Sequence, residues 1–123
     1  MLEDDIRKAA TALTEEGRMM PREIAVVLVT ERESRNLNQR FLKKRRPANV
    51  LAFHYGGMGE IIIAPAVIRR EAGIDQRSYQ GALRRMLVHG LLHLSGGDHS
   101  ASRRSAKTFA DREQRLVRRL GIP

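Results

Sequence analysis

The sequence predicts an α/β fold: a single-domain sandwich in which a small mixed β-sheet carries helices, one long apolar helix being packed on the sheet. Three observations lead there. A β-branched run at residues 24–30, IAVVLVT, has strand length and is apolar on both faces. Two further strand-like segments, 50–55 and 60–64, flank the pair Gly56-Gly57 and read as a hairpin. Between and around them, apolar residues recur at helical spacing, so helix and strand alternate along the chain. With 123 residues, 41% of them hydrophobic, and no linker or internal repeat, the chain suits one domain, 1–123, around one core.

Each element has a local reason. Leu2, Ile6, Ala9, Ala10 and Leu13 form the apolar stripe of a first helix, 2–16, which Gly17 closes. The run 24–30, apolar on both faces, predicts an interior strand between layers. A helix at 31–43 follows and Pro47 ends it; the hairpin of 50–55 and 60–64 comes next. Pro65 opens a short helix to position 71, and Gly73 ends it. A long apolar helix then spans 76–94, and a basic helix, 100–120, completes the chain.

The long helix carries the most informative residues. His89 and His93 are four apart, so on a helix they lie about 40° from each other around the axis, one turn apart on one face. Ser95-Gly96-Gly97 then breaks the helix, and adjacent glycines let the chain turn back to present His99 to the same point. Three of the four histidines thus fall within eleven positions, and no cysteine competes with them. Three neutral imidazoles suit one Zn²⁺ ion at roughly 2.0–2.1 Å and leave a fourth position for water, the arrangement of a catalytic site. The alternative is three ordinary histidines, each with a hydrogen bond in core or surface. His54 stands apart in sequence and is left outside the shell, although a neighbouring strand could bring it near. Asp98 could orient a ligand imidazole, or could cap the following helix together with Ser100. The spacing also matches the HExxHxxGxxH pattern of zinc peptidases, including Gly96, but the position of the glutamate general base is Gly90. A peptidase is therefore the weaker alternative.

Charge supplies the second argument. Twenty-three Lys and Arg against fourteen Asp and Glu give a net charge of +9, which favours a nucleic acid backbone over an anionic membrane as partner. Five of the seven residues in RFLKKRR are basic, and Arg40, Lys43, Lys44, Arg45 and Arg46 are candidate phosphate contacts. The basic side chains after Ser100, by contrast, fit a solvated helix face equally well. Five aromatic residues and no tryptophan leave little material for a surface on which bases stack. Recognition is expected mainly of backbone and shape, with weak sequence preference and strong salt dependence. No segment is long enough to span a bilayer, no basic leader precedes an apolar run in MLEDDIRKAA, and cysteine is absent; a cytoplasmic location without membrane contact is expected.

HGLLHLSGGDH resembles the HGxLHLxGxDH signature of the YbeY family of bacterial endoribonucleases. Leu37-Asn38, the segment Pro47-Ala48-Asn49-Val50-Leu51-Ala52-Phe53 and Gly59-Glu60-Ile61 are similar to that family's LN, P-T-D/N-V-L-S-F and G-D-I segments, so the resemblance covers about residues 20–121. It implies an α/β fold, zinc on His89, His93 and His99, and an enzyme, a metal-dependent endoribonuclease of single-strand type. It further implies a role in ribosomal RNA maturation and ribosome quality control, with ribosomal RNA and the ribosome as partners and no DNA. The chain departs from the family where an arginine is replaced by Leu42, where Ala48, Ala52 and Glu60 replace threonine, serine and aspartate, and where the connection from Phe53 to Gly59 is shorter. Lys43 and Arg40 are the neighbouring cations that could stand in for the arginine. The departure at Leu42 keeps a non-catalytic factor that binds ribosomal RNA as the alternative function.

Overall fold

In the computed structural model of the chain, the described residues are 2–73, 76–96 and 103–123, the side chains of 76 and 77 excepted. The elements run α1 (Leu2–Glu15), β1 (Glu23–Leu28), α2 (Glu31–Leu42), β2 (Val50–Tyr55), β3 (Met58–Ile63), α3 (Pro65–Ala72), α4 (Gln76–Leu94) and α5 (Arg103–Arg119). This is the expected α/β sandwich: a mixed three-stranded sheet in the order β1-β3-β2, with β1 parallel and β2 antiparallel to β3. The hairpin turns as the sequence predicts, Gly56 taking φ 60° as the first residue of a two-residue turn while Gly57 does not go positive.

One expectation fails. The run at 24–30 is not an interior strand: β1 lies at the sheet edge, and Val27 is 37% and Leu28 61% exposed. Its two apolar faces arise differently. Ile24 and Val26 pack on the core, whereas Val27, which points to the opposite face, is exposed at the sheet edge although its neighbour Ile62 on the central strand is buried. The central strand is β3, whose Ile61 and Ile63 are fully buried.

The register fixes which side chains share a face. Val26, Ile61 and Ala52 are aligned across the three strands and point toward α4, where they meet Leu87, Leu91 and Leu94. On its other side α4 packs against α1 and α5 through Val88 and Leu92, which meet Ala12, Leu13, Phe109 and Leu116. Helix α4 is therefore a buried layer between the sheet and two outer helices, which explains its apolar character. A bidentate pair locks α1 to it: Asp5, only 3% exposed, accepts from Arg84 Nε at 2.8 Å and Nη2 at 3.0 Å.

Two glycines set the depth of α4 on the sheet. A Cβ at Gly90 would stand 3.0 Å from Ile61 Cγ2, and one at Gly59 would stand 2.7 Å from Leu94 Cδ1. Helix backbone meets a strand side chain at the first position; a helix side chain meets strand backbone at the second. Helix and sheet thus approach more closely than any pair of larger residues would allow, and the approach places position 89 and position 93 relative to β2.

Candidate metal centre and cation-rimmed cleft

The two described histidines of the HGLLHLSGGDH segment converge. His89 and His93 lie one turn apart on α4, with ring centroids 4.8 Å apart and Nε2 to Nε2 3.2 Å. Two nitrogens each roughly 2.0–2.1 Å from one zinc ion at a near-tetrahedral angle lie about 3.3 Å apart, so the pair fits two adjacent ligand positions. His99 lies outside the described residues, as does Asp98. Among the described residues no group of three His, Cys, Asp or Glu side chains forms a metal site.

Helix α5 buttresses the pair in two ways that sequence reading missed. Glu113 receives a short hydrogen bond from His89 Nδ1–H. That contact sets the orientation of the ring, with Nε2 turned toward His93; a carboxylate behind a ligand imidazole is the usual support of metal-binding histidine. One turn earlier on α5, Phe109 packs against both rings, at centroid distances of 5.1 Å from His89 and 4.7 Å from His93. The signal available in the sequence was an apolar residue and a carboxylate four apart in an otherwise basic helix. The basic set after Ser100 partly follows its bland reading, since Arg119 pairs with Glu15 at 2.8 Å.

The histidines lie in a cleft of about 490 Å³ whose other wall is the α2–β2 connection. That connection is held by two buried polar residues of α2. The Ser34 hydroxyl donates to the Ala48 carbonyl at 2.5 Å and accepts from its N–H at 3.0 Å, and Asn38 Nδ2 donates to the Arg46 carbonyl at 2.8 Å. Lys43 ends α2 in the left-handed conformation, φ 58°, which turns the chain into the basic segment. The segment is exposed, and none of Arg40, Lys43, Lys44, Arg45 and Arg46 enters an ion pair among the described residues. The cations that line the cleft are Lys44 and Arg46, not Arg40 or Lys43; Leu42 lines it as well.

Three further positions complete the site. Asn38, 3% exposed, also lines the cleft, and its Oδ1 is buried without a hydrogen-bond partner among the described residues, an acceptor whose burial costs about 1–3 kcal/mol until a donor reaches it. His54 Nε2–H donates to the Leu94 carbonyl at 3.0 Å and so closes the C-terminal turn of α4, just beyond His93. Gly90, where a peptidase has its glutamate, is buried with its α-carbon turned onto Ile61.

Fold and cleft together define a small α/β protein with a histidine pair at the floor of a cation-rimmed groove. The family model described as Endoribonuclease YbeY matches residues 1–121. Relatives of that description include a Rhodopseudomonas palustris protein, 36% identical over 112 residues, covering 82% of this chain and 58% of the relative. Another, from Vesicomyosocius okutanii, is 30% identical over 128 residues and covers 98% of this chain and 88% of its own. The solution structure of TM1509 from Thermotoga maritima superposes with a TM-score of 0.64 at 29% identity, over 94% of this chain and 78% of that one. The chain belongs to the YbeY family. It spans 58% and 60% of the length of the Rhodopseudomonas palustris and Gluconobacter oxydans relatives, about three fifths in each case.

Proposed function

We propose that this protein is a metal-dependent endoribonuclease that cuts single-stranded segments of ribosomal RNA in the cytoplasm, in RNA maturation and ribosome quality control, with one Zn²⁺ ion held by His89, His93 and His99. The observation that carries the reading is the 3.2 Å approach of two imidazole Nε2 atoms with the Glu113 carboxylate behind one of them. A bound zinc ion supplies Lewis acidity toward a phosphodiester oxygen. The protein's own groups do the rest. Glu113 and Phe109 hold the His89 and His93 rings in place; Lys44 and Arg46 bind the phosphates of the strand; Asn38 holds the backbone of the segment that carries Arg46.

A peptidase is disfavoured, because position 90, which lines the cleft, is glycine and carries no side chain that could act as a base. The non-catalytic factor that binds ribosomal RNA is favoured by one residue, Leu42, which lines the cleft where the family has an arginine. One experiment separates the two: purified protein and its His93→Ala variant are incubated with ribosomal RNA, with and without chelator, beside elemental analysis of the same samples. The nuclease reading expects about one equivalent of zinc and RNA cleavage, both lost in the variant. Intact RNA with zinc-loaded protein leaves the binding factor; metal-free protein that still cleaves removes the metal.

A further inference from the structure

Three of the chain's five aromatic residues, separated in sequence, are gathered around Phe53, which lines the cleft. Phe41 on α2 meets Phe53 on β2 at a centroid distance of 5.3 Å, and Phe53 meets Tyr55 at 6.4 Å. Phe53 and Tyr55, two apart on a strand, share the outer sheet face, and Phe53 also lines the cleft that holds His89 and His93. Phe41 is 53% and Tyr55 55% exposed. The Arg40 guanidinium stands 5.9 Å from the Phe41 ring centre, and Lys44 and Arg46 continue the positive rim.

We propose that Phe41, Phe53 and Tyr55 form a surface on which unpaired RNA bases stack, leading the strand into the histidine cleft. Half-exposed rings in a row are an unfavourable surface unless something covers them. The cationic rim selects the cover: a second copy of this chain would bring the same positive charge to the patch, whereas a polyanion with apolar faces complements both features. Glu60 stands opposite Phe53 in the strand register, so the central-strand side of the aromatic row carries a carboxylate, which disfavours phosphate there. The ring spacings exceed the ~3.4 Å rise of stacked bases, so bases seated on successive rings must be splayed apart, which a single strand permits and a duplex does not. Scarcity of aromatics in the composition suggested the opposite, because a count says nothing about where five rings meet. The proposal takes its ligand from the proposed function but does not depend on cleavage.

The test is fluorescence anisotropy of the full chain, with chelator present, against an unstructured labelled oligoribonucleotide, an abasic strand of equal length, and a duplex. The single strand is expected to bind more tightly than the other two. Phe41→Ala and Tyr55→Ala are each expected to weaken it about fivefold to a hundredfold without changing the salt dependence, while Tyr55→Phe keeps it. Thermal melting of each variant checks that the loss is not unfolding. If folded variants bind like the parent, or the abasic strand binds as well as the natural one, the stacking surface is wrong and RNA binding by charge stands. If the parent binds no RNA, the proposed function fails with it. If Phe41→Ala instead breaks a dimer and leaves RNA affinity unchanged, the patch is a self-association surface and the proposal is overturned.

Discussion

Replacing Gly90 with alanine isolates the contact that sets the histidine pair against the sheet. In an ordinary helix interior the change stabilises by about 1 kcal/mol, because alanine loses less backbone entropy. Here the new Cβ stands 3.0 Å from Ile61 Cγ2 and 3.4 Å from its Cδ1, against a normal carbon contact of roughly 3.5–4.0 Å. Ile61 is fully buried on the central strand and has no room to withdraw, so the helix must rise. Overpacking of this kind costs roughly 1–3 kcal/mol, which exceeds the propensity gain and leaves a net loss of about 1 kcal/mol. At this chain length that lowers Tm by roughly 3–6 °C. Gly81→Ala, in the same helix, is the control: the nearest atoms there are the end of the Arg85 side chain at 3.3 Å and the Pro123 carbonyl at 3.4 Å, which can give way. It is expected to be neutral or to stabilise by up to about 1 kcal/mol. Urea unfolding followed by circular dichroism reads both variants. A Gly90→Ala protein that is as stable as the parent, or more so, refutes the close approach as the reason for glycine in the histidine signature.

The remaining predictions address one interaction each. Asp5→Ala leaves the half-buried Arg84 guanidinium without its carboxylate, with the Leu120 carbonyl at 3.5 Å still near it, and is expected to cost about 3 kcal/mol in urea unfolding, with Arg84→Met in the same chain recovering much of the loss. Glu113→Gln keeps the fold but weakens the support of His89, so zinc affinity in a chelator competition is expected to fall about tenfold to a hundredfold. Hydrogen bonds from the Thr30 backbone N–H and then its hydroxyl hold the exposed Glu33 carboxyl below the ordinary glutamate range. A lowered folded value stabilises above the ordinary one and is lost as pH falls through the lowered one. The protection of amides at the start of α2, relative to their intrinsic exchange rate at each pH, is therefore expected to fall under acid conditions, and to fall less in Thr30→Ala. Charge reversal at Lys44 and Arg46 is expected to weaken RNA binding across sequences and to reduce its salt slope by about one for each phosphate no longer neutralised.

Much of the fold could be read along the chain because its cues are local. Pro65 and Gly73 bound α3, and Gly56 turns the hairpin. The edge position of β1 was not legible, since an apolar run reports which side chains avoid water and not which backbone groups find a neighbour. Of the site, the His89–His93 spacing and the basic character of residues 40–46 were legible at once. Glu113 and Phe109 were not, because they reach the histidines from another helix, and neither was the choice of Lys44 and Arg46 over Arg40 and Lys43.

By itself, then, the amino-acid order determined the inventory: which segments are helix or strand, two imidazoles on one helical face, a glycine in place of a peptidase base, and an excess of positive charge. All of these follow from spacing and composition over a few residues. Only the tertiary structure decided what stands beside what, because contacts across tens of residues depend on how layers stack. Thus α5 backs His89 with a carboxylate, the α2 clamp aims two of five cations into the cleft, and three scattered rings become one surface.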